Sequence, residues 1–147
     1  MSTSHQFCTF VVDDHFLGVE VEKVQEVIRF QPMTRVPLAP STVMGLINLR
    51  GQIVTALDLR RRFGLPDRAP ERRPMNVVVR SDDGAVSLLV DEIGDVVEVS
   101  DDACEQPPDT LVGPARQLIR DVYKLDQRLL LVLDTERATH VDDEARR

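Results

Sequence analysis

Short apolar runs separated by turn-forming residues recur along most of this sequence. Runs of this length suit β-strands, and the Gly, Asp, Asn and Pro residues between them are typical of tight turns. Many short strands with turns at close intervals favour a barrel or a sandwich. We therefore predict an all-β chain with strands in the runs 7–12, 16–21, 46–49, 53–57, 76–79, 86–90, 96–99 and 129–133.

Helical signals are few and short. Asp58 can cap a helix start, Leu59 and Phe63 would share one face four positions apart, and Gly64 can end the helix. The apolar spacing in 21–28 predicts one or two helical turns that lead into a strand. The chain should therefore contain only a few short helices.

Two proline-rich stretches, 65–74 and 101–114, predict loops because proline cannot continue a regular element. The first of them is a candidate boundary between two halves of the fold. Residues 52–61 also resemble residues 128–137: each is an apolar strand, then Leu-Asp, then a helix start. This echo indicates either an internal repeat or a chance similarity between two strand-to-helix junctions.

The 147-residue chain suits one compact domain or two small interlocked ones, and its net charge of −7 argues against a nucleic-acid partner. Charge is uneven: residues 60–80 contain seven arginines and two acids, whereas residues 82–109 contain ten acids and no base. We interpret the two blocks as solvated faces. The alternative is a polar surface that orients a partner.

The sequence offers no group suited to catalysis, cofactor binding or metal binding. Cys8 and Cys104 are too few for a disulfide framework, and the three histidines lack metal-ligand spacing. Phosphate-binding loops and nucleophile elbows are absent from the sequence. The start has no signal-peptide pattern, and the apolar run at 129–133 is far shorter than the ~20 residues of a membrane span. We expect a cytoplasmic protein that is not an enzyme and does not insert into a membrane.

The segment 10–15 suggests a different interpretation, in which the chain is a receiver-type phospho-acceptor domain. There an apolar strand ends in paired acids, here Asp13 and Asp14. Such a domain also needs a second strand that ends in Asp, but the run 46–49 ends in Arg50, and long amphipathic helices are missing. We expect instead a hairpin in which Asp13, Asp14 and His15 form the turn.

The most informative segment is 43–60. Two strands flank a tight turn at Arg50 and Gly51, where glycine can adopt a positive φ. A side chain at such a turn is hard to bury, so the guanidinium of Arg50 should face solvent or a partner.

This segment resembles the CheW family, whose characteristic stretch has Gly, an apolar pair, Asn-Leu-Arg-Gly, an apolar strand and Asp-Leu-Arg. Further matches at 24–28, 88–93 and 129–134 follow in family order. The resemblance implies a single domain over 7–138, made of two small five-stranded β-barrels packed on each other, with a polar tail at 139–147. It also implies no catalysis and no cofactor.

The resemblance further implies a chemotaxis adaptor that couples the cytoplasmic tip of a chemoreceptor to the regulatory domain of the histidine kinase CheA in a signalling array. A CheW-like adaptor of a related motility pathway, pilus-based or gliding, is the alternative. The kinase contact is expected at Met44 and Gly45. The receptor-binding residues are expected to be Val21, Val24, Glu26, Arg50, Met75 and Val86, with an ion pair between the Glu and the Arg.

The chain departs from the family pattern at two places near these expected contacts. Leu38 stands in the turn Pro37-Leu38-Ala39-Pro40, where the family often has Asn, and Thr55 stands where the family often has Pro. Both departures concern partner contacts rather than the fold.

Overall fold

The computed structural model describes residues 3–82 and 84–140, and strands are its principal secondary structure. Three α-helices of four or five residues and two single 3₁₀ turns, at Val21–Lys23 and Asp101–Ala103, complete the described part. The all-β prediction is confirmed. The helices are α1 (Leu59–Arg62), α2 (Pro114–Leu118) and α3 (Thr135–Thr139). The strands are β1 (Ser4–Val12), β2 (His15–Glu20), β3 (Val24–Ile28), β4 (Val43–Leu49), β5 (Gln52–Asp58), β6 (Met75–Ser81), β7 (Gly84–Val90), β8 (Glu92–Ser100), β9 (Cys104–Glu105), β10 (Ile119–Lys124) and β11 (Leu129–Leu133).

The strands form two sheets. Sheet A has the order β8-β1-β2-β11-β10-β9, and sheet B has the order β3-β6-β7-β5-β4. Neighbouring strands are antiparallel except for one parallel pair in each sheet, β2 with β11 and β5 with β7. Sheet B has the predicted five strands, whereas sheet A has a sixth of only two residues. Within 3–82 and 84–140, strand pairing does not close either sheet into a ring.

Both sheets have the same internal plan, and each takes strands from both halves of the chain. In sheet A the hairpin β1–β2 lies beside the hairpin β10–β11, and in sheet B the hairpin β6–β7 lies beside β4–β5. Strand β3 then crosses to sheet B, and β8 crosses to sheet A. The chain is therefore two interlocked repeats. The loop at 65–74 separates these repeats, but its flanking strands β5 and β6 share a sheet, so it does not divide the fold.

Local signals in the first repeat produced the predicted elements. The Oδ1 of Asp58 accepts a hydrogen bond from the backbone N–H of Arg60 at 3.0 Å, and Gly64 follows α1 with a φ of 73°. The segment 21–28 is a 3₁₀ turn followed by β3. In the second repeat, Asp134 caps α3, and its Oδ1 accepts a hydrogen bond from the backbone N–H of Arg137 at 3.1 Å. The echo between 52–61 and 128–137 thus corresponds to equivalent strand-to-helix junctions.

Other local expectations need correction. His15 is the first residue of β2, paired with Val12, so the β1–β2 turn consists of Asp13 and Asp14 alone. The stretch 101–114 is not wholly loop, because it contains a 3₁₀ turn and β9. Strand β10 was not predicted, because its Ile-Arg-Asp-Val-Tyr-Lys sequence has no continuous apolar run. The predicted tail at 139–147 begins in α3, and residues 141–147 lie outside the described residues.

The buried apolar residues form three clusters, of which the central one joins the two sheets. The central cluster joins Phe10 and Leu17 of sheet A to Leu57 and Leu88 of sheet B. Because successive side chains of a strand point to opposite faces, each sheet also has a cluster on its far side. These outer clusters contain Phe7, Phe16, Val99, Tyr123, Leu130 and Val132 on sheet A, and Ile47, Leu49, Val54 and Val78 on sheet B.

Sheet B is curled, so that its opposite edges approach each other. After β3 the chain crosses to the far edge, where Thr34 and Leu46 exchange two backbone hydrogen bonds of 2.8 Å each. Gly45 makes this approach possible, because a Cβ there would lie 2.7 Å from the carbonyl oxygen of Thr34. The curl brings the β4–β5 turn toward β3.

Candidate partner-binding site

The β4–β5 turn presents Arg50 at the tip of sheet B. Arg50 and Gly51 both have positive φ values, 51° and 88°, which is the requirement of a type I′ hairpin turn. The side-chain oxygen of Asn48 accepts a hydrogen bond from the N–H of Gly51 at 2.9 Å and fixes the turn. The sequence Asn-Leu-Arg-Gly thus encodes both the turn and the residue at its tip.

Arg50 and Glu26 form an ion pair across the two edges of sheet B. The Nη2 of Arg50 donates to the Oε2 of Glu26 at 2.6 Å. The Arg50 side chain is 74% exposed, whereas that of Glu26 is 18% exposed. The prediction that Arg50 faces solvent or a partner is confirmed, as is the ion pair itself. Since an exposed pair contributes only about 0–1 kcal/mol to stability, its main effect is to orient the guanidinium.

Two of the predicted receptor-binding valines, Val24 and Val86, lie in one row of cross-strand pairs in sheet B, on either side of a core residue. Val79 of β6 pairs with Val24 on one side and with Val86 on the other. Val21 adjoins the row, because its carbonyl oxygen accepts a hydrogen bond from the N–H of Val24. Val21, Val24 and Val86 are each half-buried.

Met75 lies apart from this row. It opens β6, pairs with Val90, and is half-buried against the central cluster. It lies four positions from Val79, which corresponds to about 13 Å along a strand. The structure therefore brings Glu26 to Arg50 and places Val24 and Val86 on either side of Val79, but Met75 lies at the other end of β6. Its role in binding stays a prediction.

Ile53 is a surface residue that was not predicted from the sequence. It pairs with Asn48 across the hairpin and is 60% exposed. With Val86 it lines an open groove of about 440 Å³ beside the tip, which also includes Ser81 and Gly84 at the facing ends of β6 and β7 and Thr139 at the end of α3. Ile53 is exposed and Val54 is buried, as strand alternation requires, but the continuous apolar run does not indicate which of the two points outward.

The two predicted kinase-binding residues differ in accessibility. Met44 is half-buried and lines a second open groove, of about 860 Å³. Gly45 is buried against the backbone of Thr34, so it shapes this region rather than offering a side chain to a partner. Their contact with a kinase stays a prediction.

A buried charged network lies away from the tip and was also missed. Arg60 donates from Nε to both carboxylate oxygens of Asp91, at 2.9 and 3.1 Å, and from Nη2 to Oδ2 at 2.8 Å. Arg68, on the loop at 65–74, donates to Asp91 and to both oxygens of Asp58. The two charge blocks are therefore not simply solvated faces, because members of both blocks are buried against each other.

This network also joins the two sheets. The backbone N–H of Asp13, in the β1–β2 turn of sheet A, donates to the Oδ2 of Asp91 at 2.7 Å. Burial by itself would raise the pKa of Asp91, but the hydrogen bonds from Arg60, Asp13 and Arg68 outweigh it and lower the pKa to about 2. Asp91 is therefore ionised at neutral pH and holds both arginines.

The receiver-type interpretation of Asp13 and Asp14 is wrong. A receiver domain needs a parallel sheet with long helices between its strands, whereas the described helices have at most five residues and the two acids form a hairpin turn. Within residues 3–82 and 84–140, His, Cys, Asp and Glu side chains form no cluster that could hold a metal ion. In that same part of the chain, every helix is too short or too polar to cross a membrane.

Comparison with known proteins identifies related sequences over most of the chain. The family model described as CheW-like domain matches residues 6–142. "Chemotaxis protein CheW" of Rhizobium meliloti is 30% identical over 131 residues, which cover 89% of this chain and 84% of that protein. "Probable chemotaxis protein CheW" of Rhizobium etli is 28% identical with the same coverage.

A shorter match and a structural match add to these. "Protein FrzA" of Myxococcus xanthus is 43% identical over 56 residues, which is 38% of this chain and 35% of that protein. The crystal structure of scaffolding protein TtCheW from Thermoanaerobacter tengcongensis superposes with a TM-score of 0.81 and covers 95% of both chains at 23% identity. At that identity, the superposition shows that the fold is shared.

Proposed function

The chain belongs to the CheW-like domain family, and from that membership we propose that it is a non-catalytic chemotaxis adaptor acting in the cytoplasm. In this role it binds the cytoplasmic tip of a chemoreceptor on one surface and the regulatory domain of the kinase CheA on another. A change in the receptor tip alters its contacts with the adaptor. The adaptor in turn changes the conformational equilibrium of the kinase, and the size of this effect is a coupling free energy between the two binding sites.

The observation that supports this proposal most strongly is the oriented, exposed Arg50 at the hairpin tip. Its hydrogen bond to Glu26 uses one of five guanidinium N–H groups, and three-quarters of the side chain is open to solvent. A guanidinium oriented in this way can donate two hydrogen bonds to a carboxylate of a partner, in a bidentate contact. Ile53 and Val86 supply apolar surface beside it. Charged and apolar groups side by side suit a protein partner.

The two proposed binding surfaces are separate. The groove with Ile53 and Val86, next to the receptor-binding set, shares no lining residue with the groove that contains Met44. The proposal therefore has both partners bound at once, as an adaptor requires. A specific interface typically buries ~1,200–2,000 Å², with transient contacts at the low end.

Substitution of Arg50 by Ala tests the receptor surface. We expect affinity for a receptor hairpin fragment, measured by isothermal titration calorimetry, to fall at least about tenfold. The melting temperature should stay within about 2 °C of the wild-type value, because the exposed ion pair adds little stability. Arg116, an exposed arginine on α2, provides the matched control, and Arg116→Ala should bind like the wild type.

Three results would count against the proposal. A large fall in melting temperature for Arg50→Ala would make the arginine structural. Equal loss of binding in Arg116→Ala would indicate non-specific charge attraction. A wild-type chain that binds neither a receptor fragment nor a CheA regulatory domain would remove the chemotaxis role and leave the related motility pathway, whose receptor and kinase can be tested in the same assay.

A further inference from the structure

Each repeat ends in a capped helix that meets the first hairpin turn of the same repeat. In the first repeat, the Nη2 of Arg60 in α1 lies 3.9 Å from a carboxylate oxygen of Asp13 in the β1–β2 turn. In the second repeat, Glu136 of α3 accepts a hydrogen bond at 3.3 Å from the backbone N–H of Asp82, at the start of the β6–β7 turn. The fold therefore has two equivalent junctions, where the helix that follows one sheet meets a turn of the other.

The chain that follows α1 fills the first junction. Arg60 donates from Nη1 to the carbonyl oxygen of Pro66 at 2.9 Å, so the chain turns back over the helix. Six positions after the end of α1, the side chain of Arg68 is only 10% exposed and donates to Asp58 and Asp91. An arginine that comes shortly after the helix thus neutralises carboxylates at this junction.

The second junction is an open cleft of about 660 Å³ between the three helices and the end of β6. Its arginines already hold the helices together, because Arg62 donates to the carbonyl oxygen of Arg137, and Arg137 donates to that of Gln117. Its two acids, Asp82 and Glu136, are exposed, and neither has an ion-pair partner in the part of the chain that the structure describes. The cleft therefore offers unpaired negative charge.

The chain continues from this cleft into residues 141–147, because His140 is one of the lining residues. These seven residues lie outside the described part and have the sequence Val-Asp-Asp-Glu-Ala-Arg-Arg. Seven residues can extend about 24 Å, which is enough to cross a cleft of this volume. Arg146 is seven positions after the end of α3, close to the six positions that separate Arg68 from the end of α1.

We propose that residues 141–147 dock in this cleft, with Arg146 and Arg147 paired to Asp82 and Glu136. Complementary charge supports this occupant, because the two arginines of the segment are matched by two unpaired acids of the cleft. The docked segment closes the second junction in the way that the start of the loop at 65–74 closes the first.

This docking also bears on the groove beside Arg50. Ser81, Thr139 and His140 line both the cleft and the groove that contains Ile53, so the chain leaves His140 between the two cavities. A segment that is held in the cleft leaves the neighbouring groove open to a partner.

Paramagnetic relaxation enhancement in NMR spectra of the full chain tests where the segment lies. A nitroxide spin label is attached at Ala145→Cys, and the exposed Cys104 is replaced by Ser. Cys8 is half-buried, and burial raises the pKa of its thiol, so it reacts slowly with the labelling reagent. The label should broaden the amide signals of Gln117 and Leu118 in α2, which line the cleft and are distant from position 145 in the sequence.

Charge-neutral variants of the cleft separate docking from mere proximity to His140. Asp82→Asn combined with Glu136→Gln removes both charges and keeps the size of each side chain. Because each exposed ion pair is weak, the ratio of docked to undocked segment should fall at least about twofold, and the broadening in α2 should weaken with it. Asp95→Asn combined with Glu98→Gln makes the same change of charge at exposed residues of β8, and this control should keep the full broadening.

Three results would overturn the docking of residues 141–147. The labelled chain without charge substitutions may leave the α2 signals sharp, which would place the segment elsewhere. Undiminished broadening in the Asp82→Asn, Glu136→Gln variant would show that the two acids do not hold the segment. Equal weakening in the β8 control would show that net charge, rather than the cleft, governs its position.

Discussion

The Arg50–Glu26 and Arg60–Asp91 pairs use the same chemical groups in very different surroundings. At the hairpin tip, one hydrogen bond of 2.6 Å joins a largely exposed arginine to a glutamate. In the buried network, Arg60 donates hydrogen bonds to both carboxylate oxygens of Asp91, and the two side chains are only 11% and 6% exposed. The first pair lies at a turn and the second at the junction of the two sheets.

Burial decides what each pair contributes. Water and salt screen an exposed pair, so its removal changes stability little and leaves its arginine free for a partner. A buried pair that loses one partner leaves an uncompensated charge, which costs about 3–5 kcal/mol. The same pair of chemical groups therefore orients an exposed arginine toward a partner at the hairpin tip and joins two sheets at the buried site.

Neutralising Asp91 should produce the largest effect. Asp91→Asn keeps the shape of the side chain but leaves Arg60 and Arg68 without their common counter-charge. We expect a loss of about 3–5 kcal/mol in the free energy of unfolding, or roughly 6–20 °C in melting temperature. Denaturant titration followed by circular dichroism measures it.

Asp67→Asn is the matched control for this substitution, because Asp67 pairs with Arg61 at an exposed site. It should leave the free energy of unfolding close to the wild-type value, because water screens an exposed pair. Equal effects of the two substitutions would contradict the view that burial separates the two kinds of pair.

Acid should weaken the chain through the same carboxylate. The pKa of Asp91 is lowered to about 2 in the folded chain, whereas an unfolded Asp titrates near 3.9. A lowered folded-state pKa stabilises the fold fully above pH ~4, and this contribution is lost as the pH falls through ~2. The difference of nearly two pKa units corresponds to at most about 3 kcal/mol.

The pH dependence is checked by comparing wild type and Asp91→Asn between about pH 5 and pH 2. The wild type should lose more stability than the variant over this range. Parallel curves for the two proteins would show that Asp91 does not control the acid response.

The smallest effect should come from Glu26→Gln, the exposed counterpart of Asp91→Asn. It removes the charge next to Arg50 without changing side-chain size. We expect the free energy of unfolding to change by less than about 1 kcal/mol, and added salt should reduce the difference further. A loss as large as that of Asp91→Asn would make the tip pair a structural element and would remove the contrast between the two sites.

Features that depend on residues close together in the sequence could be predicted from it. Apolar runs indicated most strands, and Asn48 to Gly51 indicated the turn that exposes Arg50. The Asp58 cap was likewise predictable, because a cap and its helix lie within a few positions. Strand β10 was not predicted because its side chains are partly polar. The exposure of Ile53 was not predicted because a continuous apolar run does not indicate which face of the sheet each side chain lies on.

The sequence by itself determined most of the strands, the turn that exposes Arg50 and membership of the family, because these follow from short-range backbone preferences and from a contiguous motif. Only the tertiary structure decided which arginines are buried. Glu26 and Arg50 are 24 positions apart, and Arg60 and Asp91 are 31 positions apart. Whether such groups meet, and whether water reaches them, depends on how the two repeats interlock and how sheet B curls. Those are properties of the packed chain, which no local pattern specifies.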